Sequence, residues 1–234
     1  MEEYFMINNE IWNLPKKKFE NRRKVFWDII KQNFQDKKIS VLEIGVYKAG
    51  FLKDVLGRND LKISRYTGID PYLGAENDPY LGLYWKNKSD ADKIYEESLN
   101  VFTDSGNTLV RTTSQEFYKS LKPNDVYDLI IIDGDHTFNS ALWDLHFWFK
   151  RVKKGGMLIA DDYANVDTPD VTRAINTFIK VNEHKIEKIG YKRLEFQNKG
   201  KYIPISLTFV YFLPKVKNEY VEYREEELER YLKR

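Results

Sequence analysis

The sequence predicts an α/β fold, a doubly wound and mostly parallel sheet that ends in an antiparallel hairpin. Three observations carry that expectation. Apolar strand-like runs alternate with helical patterns along most of the chain. The strongest run, Val126 to Asp133 (VYDLIIID), is almost continuously apolar, as a strand covered on both faces must be. The last two runs, 191–196 and 206–213, are separated by a loop with no helix between them.

The elements follow in order. Val25, Phe26, Ile29, Ile30 and Phe34 have helical spacing and predict a helix over 19–34. Residues 39–45 (ISVLEIG) read as a buried strand entering a glycine turn, and a helix begins at Phe51. Residues 66–70 (YTGID) and 108–112 are the second and third strands, and 126–133 is the fourth. An amphipathic helix over 140–152 is closed by Lys153, Lys154, Gly155 and Gly156, cations followed by a glycine stop. Residues 156–161 (GMLIAD) form a fifth strand and 169–182 a further helix. We read residues 1–234 as a single domain, with an N-terminal helical segment (1–35), a lid-like loop (71–89) and a charged C-terminal helix (219–234). The loop is rich in Gly, Asn and Tyr, and its Tyr80, Tyr84 and Trp85 suit a wall over a bound acceptor.

Composition narrows the function. The 234 residues are 42% hydrophobic and 32% charged, with a formal net charge of +2, so a nucleic-acid partner is not favoured. There is no cysteine, which excludes disulfides, zinc-thiolate sites, iron–sulfur clusters and a cysteine nucleophile. Glu2, Glu3 and Glu10 interrupt the N-terminus where a signal peptide would be basic and then apolar. The longest apolar run is about six to eight residues, too short to span a bilayer. A cytoplasmic protein without a membrane partner is expected, and a homo-oligomer remains open.

In an open α/β sheet, ligands sit beyond the carboxyl ends of the strands. Acidic residues crowd those ends: Glu43 before Gly45, Asp70, Asp133 with Asp135 and His136, and Asp161 with Asp162. Asp70 ends the second strand about twenty residues past the glycine turn, placed to accept both hydroxyls of a ribose. The turn is Gly45-Val46-Tyr47-Lys48-Ala49-Gly50. Tyr47 stands where a dinucleotide site needs a second glycine, which disfavours NAD and favours an adenosine ligand without a diphosphate.

With these residues in view, the chain resembles the class I S-adenosylmethionine-dependent methyltransferases, whose fold is Rossmann-like. VLEIGVYKAG is similar to their first motif and YTGIDPY to their ribose-binding strand, and Ser114-Gln115 resembles an adenine-contacting pair. DLIIIDGDH followed by GGMLIADDY is similar to the divalent-metal-dependent O-methyltransferases, both the catechol and caffeoyl-CoA type and the bacterial enzymes acting on macrolide or aminocoumarin sugars. The likeness covers about residues 39–165. Ala49-Gly50 departs from the Gly-Gly of many relatives.

The resemblance implies S-adenosylmethionine held by Glu43, Gly45, Gly50, Asp70, Ser114, Gln115 and Asp133. It also implies a divalent cation, Mg²⁺ first, on Asp133, Asp161 and Asp162, hard oxygen ligands at neighbouring strand tips. Asp135 or His136 would take the proton of a hydroxyl on a small polar acceptor such as a sugar, a surface-polysaccharide component or a natural product. A metal-independent or N-directed methyltransferase and a non-catalytic nucleotide-binding protein are the alternatives. His146 reads as structural, and Trp143, Phe147, Trp148 and Phe149 as packing residues.

Overall fold

Alternation of strand and helix continues from residue 22 to the final hairpin. In order, the elements are α1 (Arg22–Phe34), β1 (Lys38–Ile44), α2 (Gly50–Leu56), β2 (Lys62–Ile69), α3 (Lys88–Asp104) and β3 (Thr108–Val110). There follow α4 (Ser114–Ser120), β4 (Tyr127–Ile132), α5 (Phe138–Phe149), β5 (Val152–Tyr163), α6 (Pro169–Asn182), β6 (Ile186–Asn198) and β7 (Lys201–Pro214). The computed structural model describes residues 22–73, 87–163, 165, 167–198 and 201–214. Most of the lid-like loop, with Tyr80, Tyr84 and Trp85, and the whole C-terminal helix 219–234 lie outside the described residues.

One seven-stranded sheet runs β3-β2-β1-β4-β5-β7-β6. β1 is parallel to β2 and β4, β2 to β3, and β4 to β5. β7 is antiparallel to both β5 and β6, which is the predicted hairpin. Chain order reverses between β1 and β4, so a crevice opens beyond their carboxyl ends. No helix among the described residues is long and apolar enough to cross a membrane.

Strand periodicity divides the core between the two faces. Val41, Leu129, Ile131 and Ile159 face one cluster, with Phe26, Trp27 and Phe51 from the first helices. Leu42, Ile130, Ile132 and Leu158 face the other, with Trp148, Phe149, Phe178 and Phe212. Burying an aromatic side chain of this size stabilises the fold by about 1.5–3 kcal/mol. Trp143 and Phe147 stack at 4.4 Å, and Tyr118 meets both edge-on, so these half-buried rings serve packing as expected.

Several expected boundaries move, two of them with consequences for the edge of the sheet. The helix over 140–152 spans Phe138–Phe149, and Lys153 to Gly156 belong to β5. These residues form an outward bulge in the ladder: Tyr127 pairs with Val152 and Leu129 with Met157. Gly155 supplies the positive φ of 71° that the bulge requires. Lys153 does not cap a helix. Its Nζ reaches Asp128 Oδ2 at 2.8 Å and Ser40 Oγ at 3.2 Å, tying β5 to β4 and β1.

His146 lies on the buried side of α5, 4% exposed. Burial, helped by the charges of Lys150 and Lys185, pushes its pKa down to about 3. The unfolded imidazole takes up a proton near its ordinary value of about 6.5 while the folded one stays neutral, so stability is lost as pH falls below that value. The advantage of the parent over His146→Gln should therefore shrink by about 1–2 kcal/mol between pH values of about 7.5 and 5. Urea unfolding of both proteins at the two pH values checks this, and a pH-independent difference would show that the imidazole titrates normally.

Candidate active site

The turn after β1 is built around Asp70. That carboxylate is 6% exposed and accepts three backbone N–H groups: Val46 and Tyr47 on Oδ2, each at 2.9 Å, and Tyr72 on Oδ1 at 2.7 Å. Burial raises its pKa, while the three backbone bonds and the Arg111 charge oppose the rise. The Tyr47 carbonyl in turn accepts the Ser98 hydroxyl at 2.6 Å and the Tyr72 hydroxyl at 3.1 Å. Gly45 has φ 85°, and a Cβ there would lie 1.9 Å from the Asp133 carbonyl oxygen. Only glycine lets the β1 turn pass so close to the β4 turn. Glu43 is fully buried below the turn and accepts the Tyr66 hydroxyl at 2.8 Å. Gly50 is the first residue of α2.

Strain concentrates along this edge. Among the described residues, Gln35, Tyr47, Ala49, Tyr72 and Asp162 are the non-glycines with positive φ, and all but Gln35 lie at carboxyl ends of sheet strands. Each costs about 1–2 kcal/mol, which the surrounding hydrogen bonds offset. Ala49 at φ 55° explains why a glycine suits that place.

The acidic residues of β4 and β5 meet across the crevice. Asp133, His136 and Asp162 bring one ligand atom each to within 4.8 Å of one another. His136 Nε2 lies 3.0 Å from Asp162 Oδ2, and Asn165 Nδ2 donates to Asp162 Oδ1 at 3.0 Å. Asp162 reaches inward because it sits at φ 57° within β5, where the pairing with β7 shifts between Ala160 and Tyr163. Bulges of this kind re-aim a side chain. Asp161 stands beside it with Oδ1 accepting the Asp162 N–H at 2.8 Å, and it is not part of that close group. The structure thus brings together Asp133, Asp162 and His136, where the sequence reading groups Asp133 and Asp162 with Asp161. Asp135 accepts the Thr137 N–H at 2.8 Å at the head of α5. The crevice is closed behind these residues by Ala141, Leu145, Val171 and Ile175.

Ser114 and Gln115 are the first two residues of α4, both half-buried. Ser114 Oγ donates to Asp144 Oδ1 at 2.5 Å. Asp144 was not among the expected site residues, nor were Tyr72, Ser98, Arg111 and Asn165. Asp144 did leave a signal, since it interrupts the apolar stripe Ala141, Leu145, Trp148 of its helix. The others left none: Tyr72 acts through a turn N–H, and Ser98, Arg111 and Asn165 reach the edge from positions that no motif marks.

Two carboxylates and an imidazole facing one crevice can hold a divalent cation or pass a proton, and the tied turn opposite can cradle a nucleoside. Comparison with known proteins gives this geometry a context. A family model described as a methyltransferase domain matches residues 42–163, just over half of the chain. An uncharacterized protein of Acanthamoeba polyphaga mimivirus is 26% identical over 172 residues, covering 67% of this chain and 69% of its own. Among solved structures, an O-methyltransferase from Bacillus cereus in complex with SAH has a TM-score of 0.53 at 14% identity, covering 91% of this chain and 89% of its own. The N-methyltransferase NodS from Bradyrhizobium japonicum has a TM-score of 0.54 at 11% identity, covering 83% and 96%. These two likenesses are of fold. The matched model spans both halves of the crevice, from the β1 turn to the end of β5, and by it the chain belongs to the methyltransferase-domain family, on the class I S-adenosylmethionine-dependent fold.

Proposed function

We propose that this methyltransferase acts on a hydroxyl of a small polar acceptor, a sugar, a surface-polysaccharide component or a natural product, with help from a divalent cation. The observation that carries the proposal is the convergence of Asp133, His136 and Asp162 within 4.8 Å beside Asp135. Two carboxylates and an imidazole fit a divalent ion, and the imidazole makes Mn²⁺ at least as suitable as Mg²⁺. When bound, such an ion would orient the acceptor and lower the pKa of its hydroxyl. Asp133 and Asp162 would hold it, with His136 or the adjoining Asp161 completing the set.

The remaining work falls to side chains at the same edge. Asp135 or His136 takes the acceptor proton as the oxygen attacks the sulfonium methyl, which leaves S-adenosylhomocysteine. Holding oxygen and methyl in line supplies much of the rate. The β1 turn and Asp70 fix the donor end of that line. Asp70 already accepts three backbone N–H groups, and a carboxylate has about four lone-pair positions, so one remains for a ribose hydroxyl.

One observation favours a second reading. The 3.0 Å approach of His136 Nε2 to Asp162 Oδ2 is also the geometry of a base oriented by a carboxylate, which would serve a metal-independent O- or N-directed reaction.

Asp70→Ala should weaken S-adenosylmethionine binding by roughly 1.5–3 kcal/mol and lower the unfolding midpoint, since it releases the turn as well as the ribose. Calorimetry and urea unfolding on the same variant check both effects; unchanged affinity would remove Asp70 from the cofactor site. For the cation, Mn²⁺ titration should show binding to the parent and a loss of roughly tenfold or more in Asp162→Ala, with S-adenosylmethionine affinity nearly kept. Chelation should then abolish turnover. Full activity in chelator with no Mn²⁺ binding would assign the pair to the His136–Asp162 dyad.

A further inference from the structure

A buried carboxylate on α5 joins the two halves of the crevice. Asp144 is 3% exposed, and its Oδ1 accepts the hydroxyl of Ser114, the first residue of α4. Its Oδ2 faces the turn between Asp133 and Asp135: a Cβ on Gly134 would stand 3.8 Å from that oxygen. Asp135 is the negative charge that faces it, and the Trp148 indole, one helical turn on, flanks it. α4 has seven residues, too few to hold its place by helix formation alone. Phe117 and Tyr118 pack its body on Trp148. A capping box between Thr113 and Glu116 closes its first turn, and the Ser114–Asp144 bond ties that turn to α5, where the chain leaves β3 and meets the crevice.

We propose that Asp144 is a positioning residue: through Ser114 it holds the start of α4 against the crevice, and so sets the affinity for the adenosine part of the methyl donor. The proposal rests on the S-adenosylmethionine reading of the site. Asp144 does not touch the donor, so its effect passes through Ser114.

Calorimetric titration of the full chain with S-adenosylmethionine, with melting temperatures on the same samples, tests this. Asp144→Ala should raise Kd roughly tenfold, as loss of a charge-assisted hydrogen bond does. Asp144→Asn, whose amide oxygen still accepts from Ser114, should stay within about threefold of the parent. The double variant Ser114→Ala/Asp144→Ala should bind no more weakly than Ser114→Ala alone, because the second residue acts through the first. Asp144→Leu, which fills the volume without an acceptor, replaces the alanine variant if that chain does not fold, with the same loss expected. Parent-like affinity in Asp144→Ala or Asp144→Leu, with only a lowered melting temperature, overturns the proposal, as do losses that add in the double variant. A parent that does not bind S-adenosylmethionine brings down the cofactor reading itself and this proposal with it.

Discussion

Everything at the carboxyl edge of the sheet depends on one buried acceptor. The Asp70 carboxylate gathers the N–H groups of Val46, Tyr47 and Tyr72, so the ends of β1 and β2 are fixed by a single side chain. Those donors belong to turn residues with no strand or helix partner, and leaving them unmade in a buried place would cost about 1–3 kcal/mol each. With them made, Tyr47, Ala49 and Tyr72 can remain in left-handed conformations that the isolated chain would avoid. The turn that results presses Gly45 against the Asp133 carbonyl, so the same carboxylate indirectly sets where β4 delivers its acidic residues.

That delivery creates an electrostatic problem which the structure answers locally. Asp162 is nearly buried beside Asp133, and a buried carboxylate needs hydrogen bonds or a cation. His136 and Asn165 supply partners on both Asp162 oxygens, and Asp161 is turned onto the neighbouring amide. A crevice of this kind can hold a cation and can also accept a proton. The ligand chemistry alone leaves both uses compatible with the same atoms, which is why the His136–Asp162 contact belongs to either mechanism.

Much of this was legible in the sequence, and the parts that were not share a physical cause. The strands, their mostly parallel class and the closing hairpin followed from apolar runs and their spacing, and Asp70, Asp133, Asp135 and Asp162 stood out by lying at the ends of those runs. α3 left a weak signal because two of its four buried positions are Ala91 and Ser98, alongside Ile94 and Phe102. Small residues pack a helix closely without looking apolar in the pattern. The bulge at 153–156 read as a helix stop, because Lys-Lys-Gly-Gly serves either purpose until the register of β4 is known. The inward turn of Asp162 comes from a left-handed residue in a strand, and a backbone angle has no letter in the sequence.

α5 shows how the fold keeps ionisable groups next to this edge without becoming hostage to pH. Asp144 and His146 are two residues apart and both buried. Burial raises the Asp144 pKa to about 7, reinforced by Asp135 and opposed by Ser114 and Trp148. The folded state then holds a proton that the unfolded state releases above its ordinary value of about 4, so this group favours folding less as pH rises towards 7. His146 does the reverse, its contribution growing as pH rises from about 3 to its ordinary value of about 6.5. Through the mildly acid range the two slopes have opposite sign and offset each other. Acidification therefore acts less on the helix as a whole than on the bond from Ser114, whose acceptor changes from a carboxylate to a carboxylic acid.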